Sequence, residues 1–364
     1  MSWNYTCTNV IDLTFNIAEP SLFLFTHFGR REGYYGSKSR YSGDNLYEHS
    51  SFESTRTGAL SMSDVILRRS QLATPGSDTR MMEKASQSSA DEVFLDLEDS
   101  VAPSEKPAAR QPLIEAANEY DWSGKVLSYR INGIDTKWWY EDIIEVVSAA
   151  GDAIDDIIIP KVKGTSDIHT VENLLTQVEV NAGLEVGKIG LEPQIEDGLG
   201  MNNVDEIAHA SNRLDSIIFG PGDYSAAMGT PGLTIGQFPE YPGHYWHYAL
   251  SRCNHAAKSA GLPCIDGPYA TIEDEEGFRQ SCLNASLLGC DGKWAIHPAQ
   301  IDIANEVFAP DPETANKAKR IVDAYAKAMD AGKGAVSVDG EMVDEATNKM
   351  AQEIVAQAEA AGIL

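Results

Sequence analysis

Two acidic residues follow short apolar runs in the middle of the chain. Glu196 ends KIGLEPQIE, and Asp223 ends SIIFGPGD, where Gly222 leaves room for a ligand close to the backbone. If the two runs are neighbouring parallel strands, their carboxylates meet at one edge of the sheet and repel unless a cation lies between them. Carboxylates without His or Cys suit a hard ion such as Mg²⁺, with Mn²⁺ as the alternative. Two solvated loop acids are the competing interpretation in a chain with 55 acidic residues.

A third charged group, Arg130, lies near the end of KVLSYRING. Its guanidinium fork matches a substrate carboxylate or a developing enolate oxygen. Alternatively, Arg130 only balances the acids around it. Glu98 and Asp99, at the end of EVFLDLED, could orient Arg130 or accept a hydrogen bond from metal-bound water. Asp99 could equally cap the helix that follows.

Other reactive residues carry weaker signals. His297, in AIHPAQ, is more typical of a hydrogen-bonded structural histidine than of a base. His244 and His247, in GHYWHY, have no third ligand placed to complete a zinc site. Cys264 has no obvious neighbouring His, which disfavours a nucleophile. No Walker loop is present, which disfavours nucleotide hydrolysis.

The elements that must position these groups alternate regularly after residue 62. Eight apolar runs end in polar or turn residues, with amphipathic stretches such as 105–120 and 170–180 between them. This pattern predicts an α/β fold, a (β/α)₈ TIM barrel whose strand ends meet at one mouth. An open doubly wound sheet is the alternative, but no G-x-G-x-x-G follows the first run. The runs are 65–76, 92–99, 125–133, 156–162, 188–196, 216–223, 262–269 and 292–298. The residues predicted at the mouth are Gly76, Glu98, Asp99, Arg130, Lys161, Glu196, Asp223, Asp266 and His297.

The carboxyl-terminal part of the chain predicts a flap. Residues 299–330 have a helical pattern, and a Gly-rich joint at 329–346 leads into a last helix. We expect a hinge, a short hairpin and a helix, an arrangement that excludes water from a barrel mouth and can carry a catalytic group. Asp344 on this flap is either such a group or the N-cap of the last helix.

Residues 1–61 differ from the rest of the chain. They contain five basic and six acidic residues, a net charge of −1, so residues 62–364 carry −26 of the total −27. They show no sustained helix or strand period, and the sequence from Met62 is typical of a chain start. We expect a disordered or non-native extension over 1–61, a catalytic barrel domain over 62–330 and a flap over 331–364.

The acidic composition limits the partners and the compartment. Nucleic acid is disfavoured because binding to phosphates needs Lys and Arg. The acids are spread along the chain, which favours a halophilic protein in a salt-rich cytoplasm over a simple margin of solubility. No run approaches the roughly 18 apolar residues that would span a membrane. Five cysteines without a CxxC pair favour a reducing, cytoplasmic location.

Several motifs together resemble the citrate lyase β-subunit-like family of CoA-ester lyases. They are FLDLEDSVAPSEKPAAR, SYRINGIDT, IIIPKV, EPQIEDGLG, FGPGDYSAAMG and GKWAIHPAQIDIANEVFAP. PEYPGHYWHYALSRC and CIDGPYATIEDEEGFR favour the L-malyl-CoA/β-methylmalyl-CoA lyase branch. The likeness covers about residues 65–360, and residues 1–61 have no counterpart.

This resemblance implies a barrel with a flap, assembled as a homotrimer or homohexamer. Glu196 and Asp223 match the family's Mg²⁺ ligands, and Arg130 matches its substrate arginine. Asp344 matches the acid that a neighbouring subunit's flap places over the active site. Asp78 departs from the family pattern, which has Arg there, and puts the contact to the CoA phosphates in doubt or shifts it to other basic residues. Further residues at matching positions are Ile195 and Gly222 for substrate, and Ala73, Lys84, Ile265 and Asp266 for CoA. Arg80, the basic residue nearest to Asp78, could replace the missing arginine together with Lys84.

The implied reaction is reversible cleavage of β-methylmalyl-CoA or L-malyl-CoA to glyoxylate and propionyl-CoA or acetyl-CoA. Within the family, the alternatives are a citramalyl-CoA lyase and a malyl-CoA thioesterase that acts as an apparent malate synthase. From another class, the alternative is a non-catalytic CoA-binding subunit of a multi-subunit lyase.

Overall fold

Eight parallel strands form a closed barrel in the computed structural model, which describes residues 65–230 and 246–364. Each strand pairs with the next, and β1 pairs with β8, with Ser70 opposite Lys293. This last pairing closes the sheet, so the predicted barrel is confirmed and the open doubly wound sheet is wrong. The predicted extension 1–61 lies outside the described residues. The strands are β1 (Ser70–Pro75), β2 (Glu92–Asp96), β3 (Val126–Arg130), β4 (Asp156–Ile159), β5 (Gly190–Ile195), β6 (Ile217–Phe219), β7 (Cys264–Asp266) and β8 (Gly292–Ala295).

Helices cover the outside of the barrel. They are α1 (Thr79–Ser86), α2 (Lys106–Glu119), α3 (Trp139–Ala150), α4 (Thr165–Ala182), α5 (Gly198–Asn202), α6 (Val204–Ala208), α7 (Pro221–Ala227), α8 (His247–Ser259), α9 (Glu275–Leu287), α10 (Ile301–Val307), α11 (Pro312–Asp330) and α12 (Glu345–Ala360). None of those in the described ranges is long and apolar enough to cross a membrane.

The helical stretch predicted over 299–330 is two helices, α10 and α11. Pro310 and Pro312 separate them, because proline disfavours helical backbone at the residue before it and lacks an N–H. Asp311 starts the second helix, since its carboxylate accepts hydrogen bonds from the N–H groups of Glu313 and Thr314. Pro312 then occupies the first helical turn, where no N–H is needed.

The barrel interior is apolar in its middle layer, below the polar mouth, and charged at the base. Phe94, Ile158, Ile218, Ile265 and Trp294 form one buried cluster inside the barrel. At the base, Arg68 pairs with the buried carboxyl groups of Glu92, Asp156 and Glu192 at 2.5–2.7 Å. Burying such groups is costly unless they are paired, so this network fixes the amino-terminal ends of the strands through charge-assisted hydrogen bonds.

The predicted hairpin and last helix are present. β9 (Val336–Val338) and β10 (Glu341–Val343) pair antiparallel, and α12 follows. α12 packs against α11, with Ile321, Tyr325, Val343 and Val355 in a shared apolar cluster. The last residue of α12, Ala360, lies beside residues 65–69 at the base of the barrel. The carboxyl-terminal end of the flap thus lies at the end of its own barrel opposite to the mouth.

Candidate active site

A cavity of about 520 Å³ opens at the carboxyl ends of the strands. This is the face where barrel enzymes place their catalytic groups. The lining comes from the ends of seven strands, all but β4. Its residues are Ala73, Thr74, Pro75, Asp96, Asp99, Ser100, Arg130, Gln194, Glu196, Gly220, Pro221, Gly222, Asp223, Pro268, Trp294 and Ile296.

Glu196 and Asp223 converge in this cavity. Glu196 directly follows β5, and Asp223 lies in the first turn of α7 after β6. Burial and a hydrogen bond to the carboxyl group of Asp223 raise the pKa of Glu196 well above its usual range. Glu196 is only 3% exposed, whereas the side chain of Asp223 is 44% exposed. A Cβ on Gly220 would lie 2.5 Å from Cγ of Glu196, so a glycine is needed beside the pair.

The donor set of this pair fits a hard divalent cation. Both ligating groups are carboxylates, which Mg²⁺ prefers, and one of them is open to the cavity. Burial is the main cause of the raised pKa of Glu196, so an ionised Glu196 needs a counter-charge in this cavity. No cluster of three or more His, Cys, Asp or Glu suited to a metal occurs among residues 65–230 and 246–364.

Arg130 is held rigidly beside the acid pair. Its Nε and Nη2 donate to the two carboxylate oxygens of Asp96 at 2.7 and 2.8 Å, and Nη1 lies 3.0 Å from Oε2 of Glu98. Its guanidinium carbon lies 5.3 Å from the ring centroid of Trp294. Burial alone would raise the pKa of Asp96, but the charge and hydrogen bonds of Arg130 outweigh it and lower that pKa to about 2.

Only part of the surroundings of Arg130 could be predicted from the sequence. Glu98 does orient Arg130, as expected, but Asp99 is 4.0 Å away with a side chain that is 62% exposed. Asp99 is not a helix cap either, because α2 begins at Lys106 after Glu105. The bidentate partner, Asp96, was missed, although it lies two residues before Glu98 in the same run. Gln194 was also missed, although the two-residue period of a strand places it on the same face as Glu196.

The predicted CoA contacts occupy two different environments. Ala73 lines the cavity, and Arg80 and Lys84 are exposed one turn apart on α1, with no ion pair to any residue the structure describes. In contrast, Ile265 is buried inside the barrel, and Asp266 is 2% exposed and pairs with Lys293. Any contact of these two with CoA would involve the main chain.

Asp78 caps α1. Its carboxylate accepts a hydrogen bond from the N–H of Met81 at 3.0 Å. The residue that departs from the family pattern therefore has a structural role at the start of this helix.

The two residues predicted around the acid pair differ in exposure. Ile195 is fully buried, and its carbonyl accepts a hydrogen bond from the N–H of Gly220. Gly222 lines the cavity. Of the two, only Gly222 is placed for direct contact with a ligand in the cavity.

Asp344 lies outside the cavity of its own chain. It is the N-cap of α12, and its Oδ1 accepts hydrogen bonds from the N–H and the hydroxyl of Thr347, both at 3.0 Å. These hydrogen bonds lower its pKa. The interpretation of Asp344 as a helix cap is confirmed, and its expected action on a neighbouring subunit stays a prediction.

The weaker candidates have structural explanations. His297 is exposed and accepts a hydrogen bond from the N–H of Ala299, as expected of a structural histidine. Cys264 is buried, and its contact with Cys290 and its burial raise the pKa of its thiol, which argues against a nucleophile. His247 is exposed at the start of α8, and His244 lies outside the described residues.

Known proteins share this chain's sequence and fold. A family model described as HpcH/HpaI aldolase/citrate lyase matches residues 69–298. The L-malyl-CoA/beta-methylmalyl-CoA lyase of Rhodobacter capsulatus is 42% identical over 307 residues, which cover 82% of this chain and 96% of that protein. Citrate lyase subunit beta of Leuconostoc mesenteroides subsp. cremoris is 36% identical over 82% of this chain and 96% of its own length.

A solved structure is also similar to this chain in sequence and fold. Protein CitE from Mycobacterium tuberculosis, in complex with magnesium, acetoacetate and coenzyme A, matches with a TM-score of 0.62 and 25% identity, over 80% of this chain and 97% of that one. The resemblance inferred from the motifs is confirmed. Since the family model spans more than half of the sequence and the curated relatives exceed 30% identity over most of it, the chain belongs to the HpcH/HpaI aldolase/citrate lyase family.

Proposed function

We propose that this chain is a Mg²⁺-dependent CoA-ester lyase. It reversibly splits β-methylmalyl-CoA or L-malyl-CoA into glyoxylate and propionyl-CoA or acetyl-CoA. The observation that carries the proposal is the contact between the carboxyl groups of Glu196 and Asp223, in one cavity with Arg130. The name of the Rhodobacter capsulatus relative and the magnesium and coenzyme A in the Mycobacterium tuberculosis structure support it.

Glu196 and Asp223 would hold the Mg²⁺ ion, or Mn²⁺ in its place. Once bound, the ion would polarise the carbonyl group of glyoxylate and offset the charge of its carboxylate. The chain itself prepares this site, because the N–H of Lys161 fixes Oε1 of Glu196 at 3.0 Å. The substrate contacts proposed for Gly222 and Ile195 would come from their main chain, since one has no side chain and the other is buried.

Asp344 would accept the proton of the CoA ester, and Arg130 would stabilise the negative charge of the enolate. In the direction of synthesis, the carboxylate of Asp344 removes a proton from the carbon next to the thioester carbonyl. Arg130 stabilises the enolate oxygen that results. The enolate carbon attacks the aldehyde carbon of glyoxylate, so that a carbon–carbon bond forms as the π bond of the aldehyde breaks. The resulting alkoxide takes up a proton from solvent, and Asp344 returns to solvent the proton that it removed. Cleavage follows the same steps in reverse.

The active site would be completed by a second copy of the chain. Asp344 does not line the cavity of its own barrel, and its flap ends at the base of that barrel. A homotrimer or homohexamer would let one subunit's flap cover the mouth of the next. Arg80 and Lys84, exposed on α1 after β1, would bind the CoA phosphates, while Ala73 would contact the acyl-bearing arm.

The direct test is incubation of the protein in molar KCl with Mg²⁺, glyoxylate and either acetyl-CoA or propionyl-CoA, followed by mass analysis of the products. We expect malyl-CoA or β-methylmalyl-CoA, and no reaction after chelation of the metal. Pyruvate in place of glyoxylate tests the citramalyl-CoA alternative. If malyl-CoA yields free CoA without glyoxylate, the protein is a thioesterase instead.

The non-catalytic alternative has one observation in its favour, the similarity to a citrate lyase subunit beta. A subunit of that kind would be inactive alone and gain activity with a partner protein. Activity of the purified chain with free CoA esters would exclude it.

A further inference from the structure

Lys161 contacts the acids of the mouth from two directions. It lies two residues after β4, and its main-chain N–H donates to Oε1 of Glu196 at 3.0 Å. Its Nζ donates to Oε1 of Glu98 at 2.5 Å and lies 3.6 Å from Oδ2 of Asp223. A single residue therefore touches both members of the acid pair and the acid that pairs with Arg130.

The backbone of Lys161 is in an unfavourable conformation. Its φ is 54°, and Asp339 is the only other non-glycine residue with a positive φ in the part of the chain that the structure describes. A residue with a long side chain is rarely found in this region, and such strain is retained where the surroundings require it. Here the conformation allows the N–H to reach the acid after β5 while the ammonium reaches the acid after β2.

The formal charge of the mouth explains why an ammonium is needed. Three cations, Arg130, Lys161 and the buried Lys106, lie beside five acids, so the net formal charge is 3 − 5 = −2, and a divalent ion cancels it. An oxo-acid with its own carboxylate must bind in these surroundings. Without Lys161 the formal charge of the mouth with the ion bound would be −1, and the mouth would repel the oxo-acid. The five acids are Asp96, Glu98, Asp99, Glu196 and Asp223.

We propose that Lys161 is a positioning residue that orients Glu196 through its N–H and, through its ammonium, offsets the charges of Glu98 and Asp223 so that the mouth accepts an anionic oxo-acid. This inference rests on the proposed function. It predicts that removal of the ammonium changes the affinities for the metal ion and for the oxo-acid in opposite directions. The ammonium competes with a metal ion for Asp223, so its removal strengthens metal binding. The same ammonium attracts the oxo-acid, so its removal weakens oxo-acid binding.

The experiment compares four variants with the wild-type protein by titration calorimetry. Lys161→Met removes the charge, Lys161→Asn removes it with a residue that tolerates positive φ, and Lys161→Arg retains it. Lys163→Met is the matched control, because Lys163 is exposed and its loss changes the net charge equally. Mn²⁺ binding is measured without substrate, and glyoxylate binding is measured on metal-saturated protein.

We expect Lys161→Met and Lys161→Asn to bind Mn²⁺ several-fold more tightly and glyoxylate about tenfold more weakly. Lys161→Arg should restore glyoxylate binding to within about threefold of wild type, and Lys163→Met should change neither affinity. If the role of Lys161 is purely structural, the neutral variants should bind both Mn²⁺ and glyoxylate more weakly. That result, or no change in either affinity, overturns the inference. If the wild-type protein binds neither Mn²⁺ nor glyoxylate, the proposed function fails and the inference fails with it.

Discussion

Glu196 and Asp223 share a hydrogen bond between their carboxyl groups, although they follow different strands. The two strands are neighbours in the barrel, with Ile195 paired to Phe219, so the residues just beyond them meet at the mouth. Glu196 is buried and held by the N–H of Lys161, while Asp223 faces the cavity. One fixed and one accessible carboxylate form a site that a divalent ion can enter from the cavity side.

Asp96→Asn should impair both catalysis and stability. The change leaves the buried Arg130 with only Glu98 as a close carboxylate partner, so we expect kcat to fall roughly 10- to 100-fold and the free energy of unfolding to fall by about 3 kcal/mol. Because Arg130 lowers the pKa of Asp96 from 3.8 to about 2, its contribution to stability is complete above pH 3.8 and is lost as the pH falls toward 2.

The control for this prediction is Asp99→Asn, the same chemical change on an exposed side chain 4.0 Å from Arg130. It should change the free energy of unfolding by less than about 0.5 kcal/mol. Urea denaturation at pH 2 to 8 and steady-state kinetics provide the measurements. Equal effects of the two variants would show that Asp96 has no special role in holding the arginine.

Asp344→Asn should abolish turnover while metal binding is retained. Removal of a general base lowers rates by about 10²- to 10⁴-fold, and Asp344 is not part of the proposed metal site. Since Asp344 lies outside its own cavity, we expect it to act on a neighbouring subunit. Mixing Asp344→Asn with Glu196→Gln chains, by unfolding and refolding them together, should therefore restore part of the activity.

In such mixed assemblies, some mouths have an intact acid pair and receive an intact flap from the neighbour. Each variant refolded alone is the control and should stay inactive. Mixed assemblies that form but show no activity would place Asp344 and Glu196 in the same active site of one chain, and activity of Asp344→Asn refolded alone would remove Asp344 from the mechanism.

The strand order and the acids at the strand ends could be predicted from the sequence, because eight apolar runs that alternate with amphipathic stretches are typical of a (β/α)₈ barrel. Asp96 could not be assigned, because FLDLED contains three acids and only the register of β2 against β3, with Asp96 opposite Arg130, selects one. The break before α11 was missed, although Pro310 and Pro312 mark it. The strained backbone of Lys161 gave no signal, since a lysine is not expected at positive φ.

Glu192→Gln should stabilise the protein, and more so at alkaline pH. Burial and the neighbouring charge of Glu92 raise the pKa of Glu192 well above 4.5, so the folded state retains a proton that the unfolded chain releases. Stability is therefore lost as the pH rises above 4.5, at about 1.4 kcal/mol per unit, until the raised pKa is reached. Glutamine does not titrate, so its advantage over wild type should grow between pH 5 and pH 8.

Glu92→Gln is the matched control at the barrel base. Glu92 accepts hydrogen bonds from Arg68, Gln71 and Ser128, and an amide would point N–H groups at these donors. We expect it to destabilise the protein at every pH. Unfolding curves at pH 5 and pH 8 check both variants, and a Glu192→Gln protein less stable than wild type at pH 8 would show that Glu192 is ionised in the folded state.

Salt should stabilise this protein more than it stabilises proteins of balanced charge. With a net charge of −27, repulsion between surface carboxylates opposes the compact state, and added ions screen it over about 10 Å or less. We expect the melting temperature to rise steadily between 0.1 and 2 M KCl, which thermal denaturation followed by circular dichroism can measure. A melting temperature that stays constant or falls over this range would contradict the expected adaptation to a salt-rich cytoplasm.

The proposed mechanism requires that Glu196 and Asp223 bind one divalent ion, without which carbon–carbon cleavage stops. The most direct measurement is glyoxylate release from malyl-CoA by chelator-stripped protein as Mg²⁺ is added back. We predict no cleavage without the ion, full recovery for wild type at saturation, and a loss of metal affinity of more than about 100-fold for Asp223→Asn. Cleavage at the full rate by the stripped wild-type protein would contradict the claim.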